Sequence, residues 1–473
     1  MRIALLVPVV VAAVWSLAVA DAEDKPPLWS AGPYLMLDDT LVAEQEGVRS
    51  EILQPARLPE PIVTGYEDGC FQPYVTVVRD PRTRRFRMWY NVPASPGNTG
   101  ESRLAYLESE DGIHWIRPHR ILDTPPIQFG TSVIDEGPDY PDPAWRYKFA
   151  WWKNGGLQVA GSPDGLTWTA LAPGVVLATN HDITAIEWDP LRNRYMALVS
   201  QVPTEGPFKG LRIPHQSVSS DLVRWKQPPW PIVTPDPSAA IEKGETQFYG
   251  MSGVVVRGGL LVSMVKVLRD DLNCERGRTA RELHDDSGRR FAGLGYSVVA
   301  WSHDGEHWKR ESRPFLDRNP QPGTWDRAMA WADDQLVIGD FTYIYYGGYR
   351  WGHKAERFTG RQIGFAQMPR DRYAGLSAGR NGGRVLTRSG VLRAARVTVN
   401  ARINQAGGEL RMRLVQGKGK VVPGFDWDDC EAIRGDRVEH PVRWKGDLRR
   451  IQGASPQFEF RVVQGTLYGF DLH

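Results

Sequence analysis

The sequence predicts an all-β protein: a five-bladed β-propeller over residues 26–378, followed by a small C-terminal β-sandwich over 384–473. Three observations carry this. A short phrase recurs as Ser109-Glu-Asp111-Gly112-Ile-His-Trp115, as Ser162-Pro-Asp164-Gly165-Leu-Thr-Trp168, as the degenerate Ser219-Ser-Asp221-Leu-Val-Arg-Trp225, and as Ser302-His-Asp304-Gly305-Glu-His-Trp308. An alternating apolar run precedes each copy, such as Leu104-Ala-Tyr-Leu107 or Tyr296-Ser-Val-Val-Ala-Trp301. Beyond a Gly-, Ser- and Asn-rich stretch at 375–383 the alternating runs continue without the phrase. Asp-Gly after a strand is a hairpin signal, because Asp bonds its own backbone and Gly accepts positive φ. An all-β unit repeated at intervals of about 50 residues fits a propeller blade. The phrase Asp residues are therefore assigned to turns, not to chemistry.

In chain order, residues 1–20 read as a secretory signal peptide: Arg2 supplies a positive start, an apolar run follows, and Ala18-Val19-Ala20 is a small-residue cleavage site. Residues 26–61 are Pro-rich and irregular, and are expected to lie along the outside of the propeller. Blade one takes 72–78, 85–90, 104–107 and a strand from Trp115; blade two takes 131–134, 145–151, 157–160 and a strand beyond Trp168. Blade three takes 183–188 and 194–199 and closes after Trp225; blade four opens at 248–256 and carries a charged insertion at about 270–290; blade five takes 328–331, 341–346 and 363–366. Arg79-Asp80-Pro81 matches a triplet of sucrose-cleaving propeller enzymes, but Asp80-Pro-Arg-Thr-Arg-Arg-Phe86 has the same form as Asp189-Pro-Leu-Arg-Asn-Arg-Tyr195. A feature repeated at one place in successive blades is a hairpin. Alternating runs at 395–400, 409–414, 438–442, 458–463 and 467–470 build the sandwich.

Charge is balanced, with 58 Lys and Arg against 56 Asp and Glu, so nothing points to nucleic acid or a membrane surface. Trp is unusually frequent at 18, and Tyr at 16; some are expected to fill blade cores and others to line a site where rings stack on sugars. Cys70, Cys274 and Cys430 allow at most one disulfide, and no Cys-x-x-Cys or His-Glu-x-x-His pattern appears.

Candidate chemistry lies in what does not repeat. Inner strands surround the propeller axis, so polar residues at their beginnings share one mouth. Glu67 and Asp68 precede the first inner strand, His181 and Asp182 the third, Glu245 and Gln247 the fourth, and Trp325 and Asp326 the fifth. Carboxylates that converge on one cavity raise each other's pKa, which lets one act as acid while another acts as base. Asp68, Asp182, Glu245 and Asp326 are the candidate catalytic acids, and at least three are expected to meet. Glu67, Gln72, His181, Gln247, Tyr249, Trp325, His353 and Arg361 are the candidate substrate contacts.

On these residues the chain resembles the five-bladed propeller glycosidases, the broad superfamily that includes glycoside hydrolase families 32, 43 and 68. The resemblance spans roughly 65–377 and rests on Arg87-Met-Trp-Tyr90, the phrase ends, Gln247-Phe-Tyr-Gly-Met251, Trp325-Asp326, and Ile344-Tyr-Tyr-Gly-Gly348 followed by Ile363-Gly-Phe-Ala366. The tail, from Pro423-Gly-Phe-Asp-Trp-Asp-Asp-Cys430 to Val442-Arg-Trp444, looks like the sandwich that accompanies such propellers. The resemblance implies three acids, on blades one, two and three. Glu67 or Asp68 matches the first, none marks blade two, Asp182 stands where a Glu is usual, and Glu245 falls on blade four.

The expected function is cleavage of glycosidic bonds in a poly- or oligosaccharide by a secreted or periplasmic protein. The alternatives are a carbohydrate-binding propeller without catalysis and a protein-binding scaffold. No cofactor is expected, with room for one axial structural ion such as calcium. The metal ligands are left open, and the protein is expected to be a monomer, with no membrane contact once the leader is cleaved.

Overall fold

The computed structural model describes residues 28–98, 100–124, 127–182, 184–275 and 291–473. The expected leader, and residues 276–290 of the expected insertion, lie outside the described residues. The described chain is all-β, and its helical pieces are 3-10 turns of three or four residues.

Five antiparallel strand sets, called sheets I to V, follow one another in the chain, and a parallel bridge from Gly295 to Met329 joins IV and V into one larger sheet. Sheet I holds Gln72–Arg79, Phe86–Pro93, Ser102–Ser109 and Arg120–Ile121. Sheet II holds Phe129–Asp135, Tyr147–Trp152 and Gly156–Ser162, edged by Thr169–Ala170 and Leu177–Ala178. Sheet III holds Thr184–Asp189, Arg194–Gln201, Ile213–Ser219 and Trp230–Pro231. Sheet IV holds Thr246–Arg257, Leu260–Asn273, Ala292–Ser302 and Lys309–Arg310. Sheet V holds Met329–Ile338, Phe341–Tyr349 and Arg361–Pro369, and its outer strand is Ala56–Arg57 from far upstream. The first strands of the five sheets touch in the cyclic order I, II, III, IV, V and back to I.

Apolar clusters fill the seams of this ring. Trp89, Val133, Tyr147 and Phe149 join I to II, and Ala150, Leu157, Ile186 and Tyr195 join II to III. Ala185, Met196, Phe248 and Val265 join III to IV, while Val262, Val299, Ile344 and Tyr346 join IV to V. Val75, Tyr90, Tyr345 and Phe365 close V on I. Each fully buried aromatic side chain in such a seam contributes about 3–5 kcal/mol relative to alanine.

The recurring phrase explains its own composition. Asp111 Oδ1 accepts the Ile113 and His114 N–H groups at 2.8 Å each, and Ser109 Oγ accepts the Gly112 N–H at 2.9 Å. Asp164, Asp221 and Asp304 accept the same two N–H groups in their own copies. The glycine is needed twice over: Gly165 has φ 73°, and a Cβ there would meet the Trp89 ring at 2.9 Å. Leu222 replaces it in the degenerate copy and is itself held at φ 65°. Each phrase Trp packs into the seam between its sheet and the preceding one. Sheet V carries no phrase because its outer strand comes from upstream, so no turn need lead to one.

The stretch expected along the outside of the ring does something else. Val48–Ile52 pairs with Ala374–Ala378, and Val42–Glu46 pairs with Gly383–Thr387. Both belong to two antiparallel C-terminal sheets that share one core, including Val399, Leu467 and Phe470 from one sheet and Val385, Met412 and Phe460 from the other. These strands were not foreseen in a stretch read as irregular, because their partners lie more than 300 residues away. Cys70, Cys274 and Cys430 are buried and unbridged.

Candidate functional site: a cationic mouth above an acidic channel

The inner strands leave a channel of about 270 Å³ lined by all five sheets. An inner strand presents a free edge, whose N–H groups must find partners. Side chains supply them around the ring. Thr76 Oγ1 accepts the Val133 N–H at 3.2 Å between I and II, and Ser132 Oγ accepts the Ile186 N–H at 2.9 Å between II and III. Glu187 accepts the Gly253 N–H at 2.7 Å between III and IV. Asp333 accepts from Val75 N–H at 3.0 Å, from Ser252 Oγ at 3.0 Å and from Lys266 Nζ, and Asp334 accepts the Val77 N–H at 2.7 Å. Burial, followed by the charge of Asp334, pushes Glu187 up to about 8. Burial also pushes Asp334 up to about 7, against the N–H bonds that favour its charge. Both line the channel, where Glu187 is shifted toward its protonated form.

The mouth lies at the starts of the same strands. Gln72 accepts a hydrogen bond from Arg361 Nη1 at 2.9 Å, and Gln247 accepts one from Arg212 Nη1 at 2.6 Å. Arg361 Nη2 also donates to the His353 carbonyl at 2.6 Å. The Tyr249 ring stacks on Trp331 at 4.8 Å and meets His181 edge-on at 5.5 Å and His353 edge-on at 5.0 Å. Arg212 lies over Tyr249 at 4.9 Å, and Arg361 over Tyr349 at 4.5 Å. Arg212 Nε donates to His181 Nε2 at 2.8 Å, so that nitrogen is unprotonated. Burial lowers His181 to about 4, which keeps the ring neutral with its proton on Nδ1. Asp182 Oδ1 is 3.2 Å from His181 Nε2 but receives no hydrogen bond, because Arg212 occupies that nitrogen. The Asp182 side chain is 26% exposed, so it is reachable from solvent. Asp270 borders the mouth too: a Cβ on Gly293 would meet both its Oδ1 and the His353 Cβ.

Of the twelve expected site residues, the mouth thus gathers Gln72, His181, Asp182, Gln247, Tyr249, His353 and Arg361. The other five are elsewhere. Asp68 is buried in a two-oxygen ion pair with Arg117 Nε at 2.8 Å and Nη2 at 2.9 Å, and also accepts the Thr64 N–H. Glu67 occupies the same turn but faces outward, its N–H bound to Thr64 Oγ1. Asp326 is buried against Arg57 Nη1 at 2.8 Å and the Tyr346 hydroxyl at 3.2 Å. Trp325 stacks on Tyr346 at 5.5 Å, in the IV–V seam. Glu245 is exposed and, among the described residues, makes no side-chain hydrogen bond or ion pair to the mouth. The expected meeting of three acids does not occur. Sequence order places each acid near an inner strand but not the arginine that draws it away, and Arg57 and Arg117 come from other strands and loops.

Arg212, Trp331 and Tyr349 at the mouth, and Tyr74 in the channel lining, were missed. One signal pointed to Tyr74: Gln72-Pro-Tyr74 repeats the Gln-x-Tyr pattern of Gln247-Phe-Tyr249 at a second strand start, and each Gln recruits an arginine. Among the described residues no group of three His, Cys, Asp or Glu has the geometry to hold a metal.

No protein-family model and no curated protein match the chain. Similar solved structures include an N-acetylgalactosamine deacetylase from F. plautii in complex with blood group B trisaccharide. It is 14% identical at TM-score 0.45, over 69% of this chain and 97% of that one. A beta-1,2-mannobiose phosphorylase from Listeria innocua is 12% identical at TM-score 0.42, over 67% and 97%. A family 43 arabinoxylan arabinofuranohydrolase from Bacillus subtilis, in complex with cellotetraose, is 11% identical at TM-score 0.39, over 87% and 99%. With TM-scores below 0.5, none of these likenesses bears on this chain's activity.

Proposed function

We propose that the ring is a five-bladed propeller with an attached β-sandwich, that the protein is exported, and that its mouth processes carbohydrate, with Asp182 as the proton-transferring carboxylate. The observation that carries this is the state of Asp182. One of its oxygens is buried without a hydrogen bond, while its side chain stays partly exposed beside His181 and near Tyr249. A partly exposed carboxylate at such a mouth can give or take the proton that glycosidic cleavage requires. Hydrolysis by two carboxylates would draw its second from Asp270.

A screen of the protein against aryl glycosides and polysaccharides tests this reading. We expect turnover of at least one, lost by about 100-fold or more in Asp182→Asn with binding retained. Undiminished turnover in that variant would defeat the assignment. A second reading, binding without catalysis, is favoured by the closure of Asp68 and Asp326 in arginine pairs. It predicts glycan affinity with no turnover.

A further inference from the structure

The charge of the mouth is as informative as its rings. Among the described residues, the two buried arginines other than Arg361 meet carboxylates: Arg269 meets Asp271, and Arg372 meets Asp436. Arg361 is only 3% exposed, yet among the described residues its partners are neutral, the Gln72 amide and the His353 carbonyl. Its Nε is buried with no hydrogen-bond partner. Arg212 likewise donates only to Gln247 and His181. Burying a guanidinium without a counter-charge is costly, and an unmade hydrogen bond adds about 1–3 kcal/mol. The Nδ1 atoms of His353 and His181 are also buried and unpartnered. Lys354, next in the chain to His353, faces the same field. Its ammonium is held below its usual value by partial burial and then by Arg212, Arg357 and Arg361, with Asp182 opposing. The described carboxylates at the mouth are Asp182 and Asp270, too few to balance four cations.

We propose that the mouth is a subsite for the anionic group of an acidic glycan, a carboxylate or sulfate borne by the sugar, held by Arg361, Arg212 and Lys354. This rests on the carbohydrate reading above. Guanidinium groups suit planar or tetrahedral oxyanions, which they can bind through two N–H groups at once.

Calorimetry on the whole protein tests the proposal. The probes are trimers of galacturonate and mannuronate and a sulfated galactan fragment, each beside its carboxyl-reduced or desulfated counterpart, together with inorganic phosphate and sulfate alone. We expect one acidic probe to bind at least about ten-fold more tightly than its neutral counterpart, the loss of one charge-assisted hydrogen bond. Its affinity should fall as sodium chloride is added. Arg361→Gln should weaken it about ten-fold. The exposed Lys354→Gln should weaken it in the same direction, and it serves as the check if the buried variant does not fold. Equal affinity for neutral and acidic partners would overturn the proposal and leave the carbohydrate reading standing. Binding of phosphate or sulfate without any glycan would overturn the sugar-borne source in favour of a free oxyanion. Binding of no probe would overturn both readings.

Discussion

The channel and the mouth are built from the same inner strands, a few residues apart, and they treat charged groups in opposite ways. In the channel, Glu187, Asp333 and Asp334 each accept backbone N–H groups from a neighbouring sheet. In the mouth, Asp182 Oδ1, Arg361 Nε and the Nδ1 atoms of His181 and His353 have no partner. Satisfied buried groups hold a structure together, whereas an unsatisfied buried charge costs stability and calls for an explanation, such as a ligand. Strong pKa perturbation alone would have selected the wrong place, because Glu187 and Asp334 are shifted furthest among the carboxylates while performing a structural task.

If the channel acids are structural, removing one should cost stability. Asp333→Ala leaves Lys266 buried without its counter-charge and frees the Val75 N–H, so we expect a loss of about 3–5 kcal/mol in urea unfolding. A loss under about 1 kcal/mol would break the comparison.

The next effect is one of pH. Glu187 holds its proton in the fold up to about 8, whereas the unfolded chain releases it near the ordinary value of 4.5. Between these values the folded state binds more protons, so stability falls as pH rises, by up to about 1.4 kcal/mol per pH unit for this group. Glu187→Gln should flatten the decline between pH 5 and about 8, as read from unfolding free energies across that window. An unchanged slope would mean that the channel does not hold the proton.

The smallest effect belongs to the repeated turns. Asp111→Ala removes an acceptor shared by two N–H groups at a half-exposed site, and should cost about 1 kcal/mol without altering any activity or glycan affinity. Lost function in a folded Asp111→Ala protein would move that residue out of the turn class.

Much of the ring was legible in the sequence, because its signals are local. Asp-Gly turns, alternating strands and the Asp80 and Asp189 hairpins each specify themselves within about ten residues. The outer strand of sheet V was not legible, since Ala56–Arg57 is two residues long and its partner Gln367 lies far downstream. The site was half legible for the same reason. Strand starts could be located, so His181, Asp182, Gln247 and Tyr249 were found together. The arginines that close Asp68 and Asp326 reach them from Arg117 and Arg57, across contacts that no local pattern encodes. The channel carboxylates left a trace in Asp333-Asp334, a charged pair inside an otherwise apolar strand.

The central claim is that Asp182, and neither of the two acids closed by arginine, serves the site. Turnover of whichever glycan the screen selects, compared among folded Asp182→Asn, Asp68→Asn and Asp326→Asn proteins, tests it most directly. The account predicts a loss of about 100-fold or more for Asp182→Asn, and turnover within about two-fold of the parent per folded molecule for the other two. Full activity in Asp182→Asn, or its loss in a folded Asp68→Asn or Asp326→Asn protein, would contradict it.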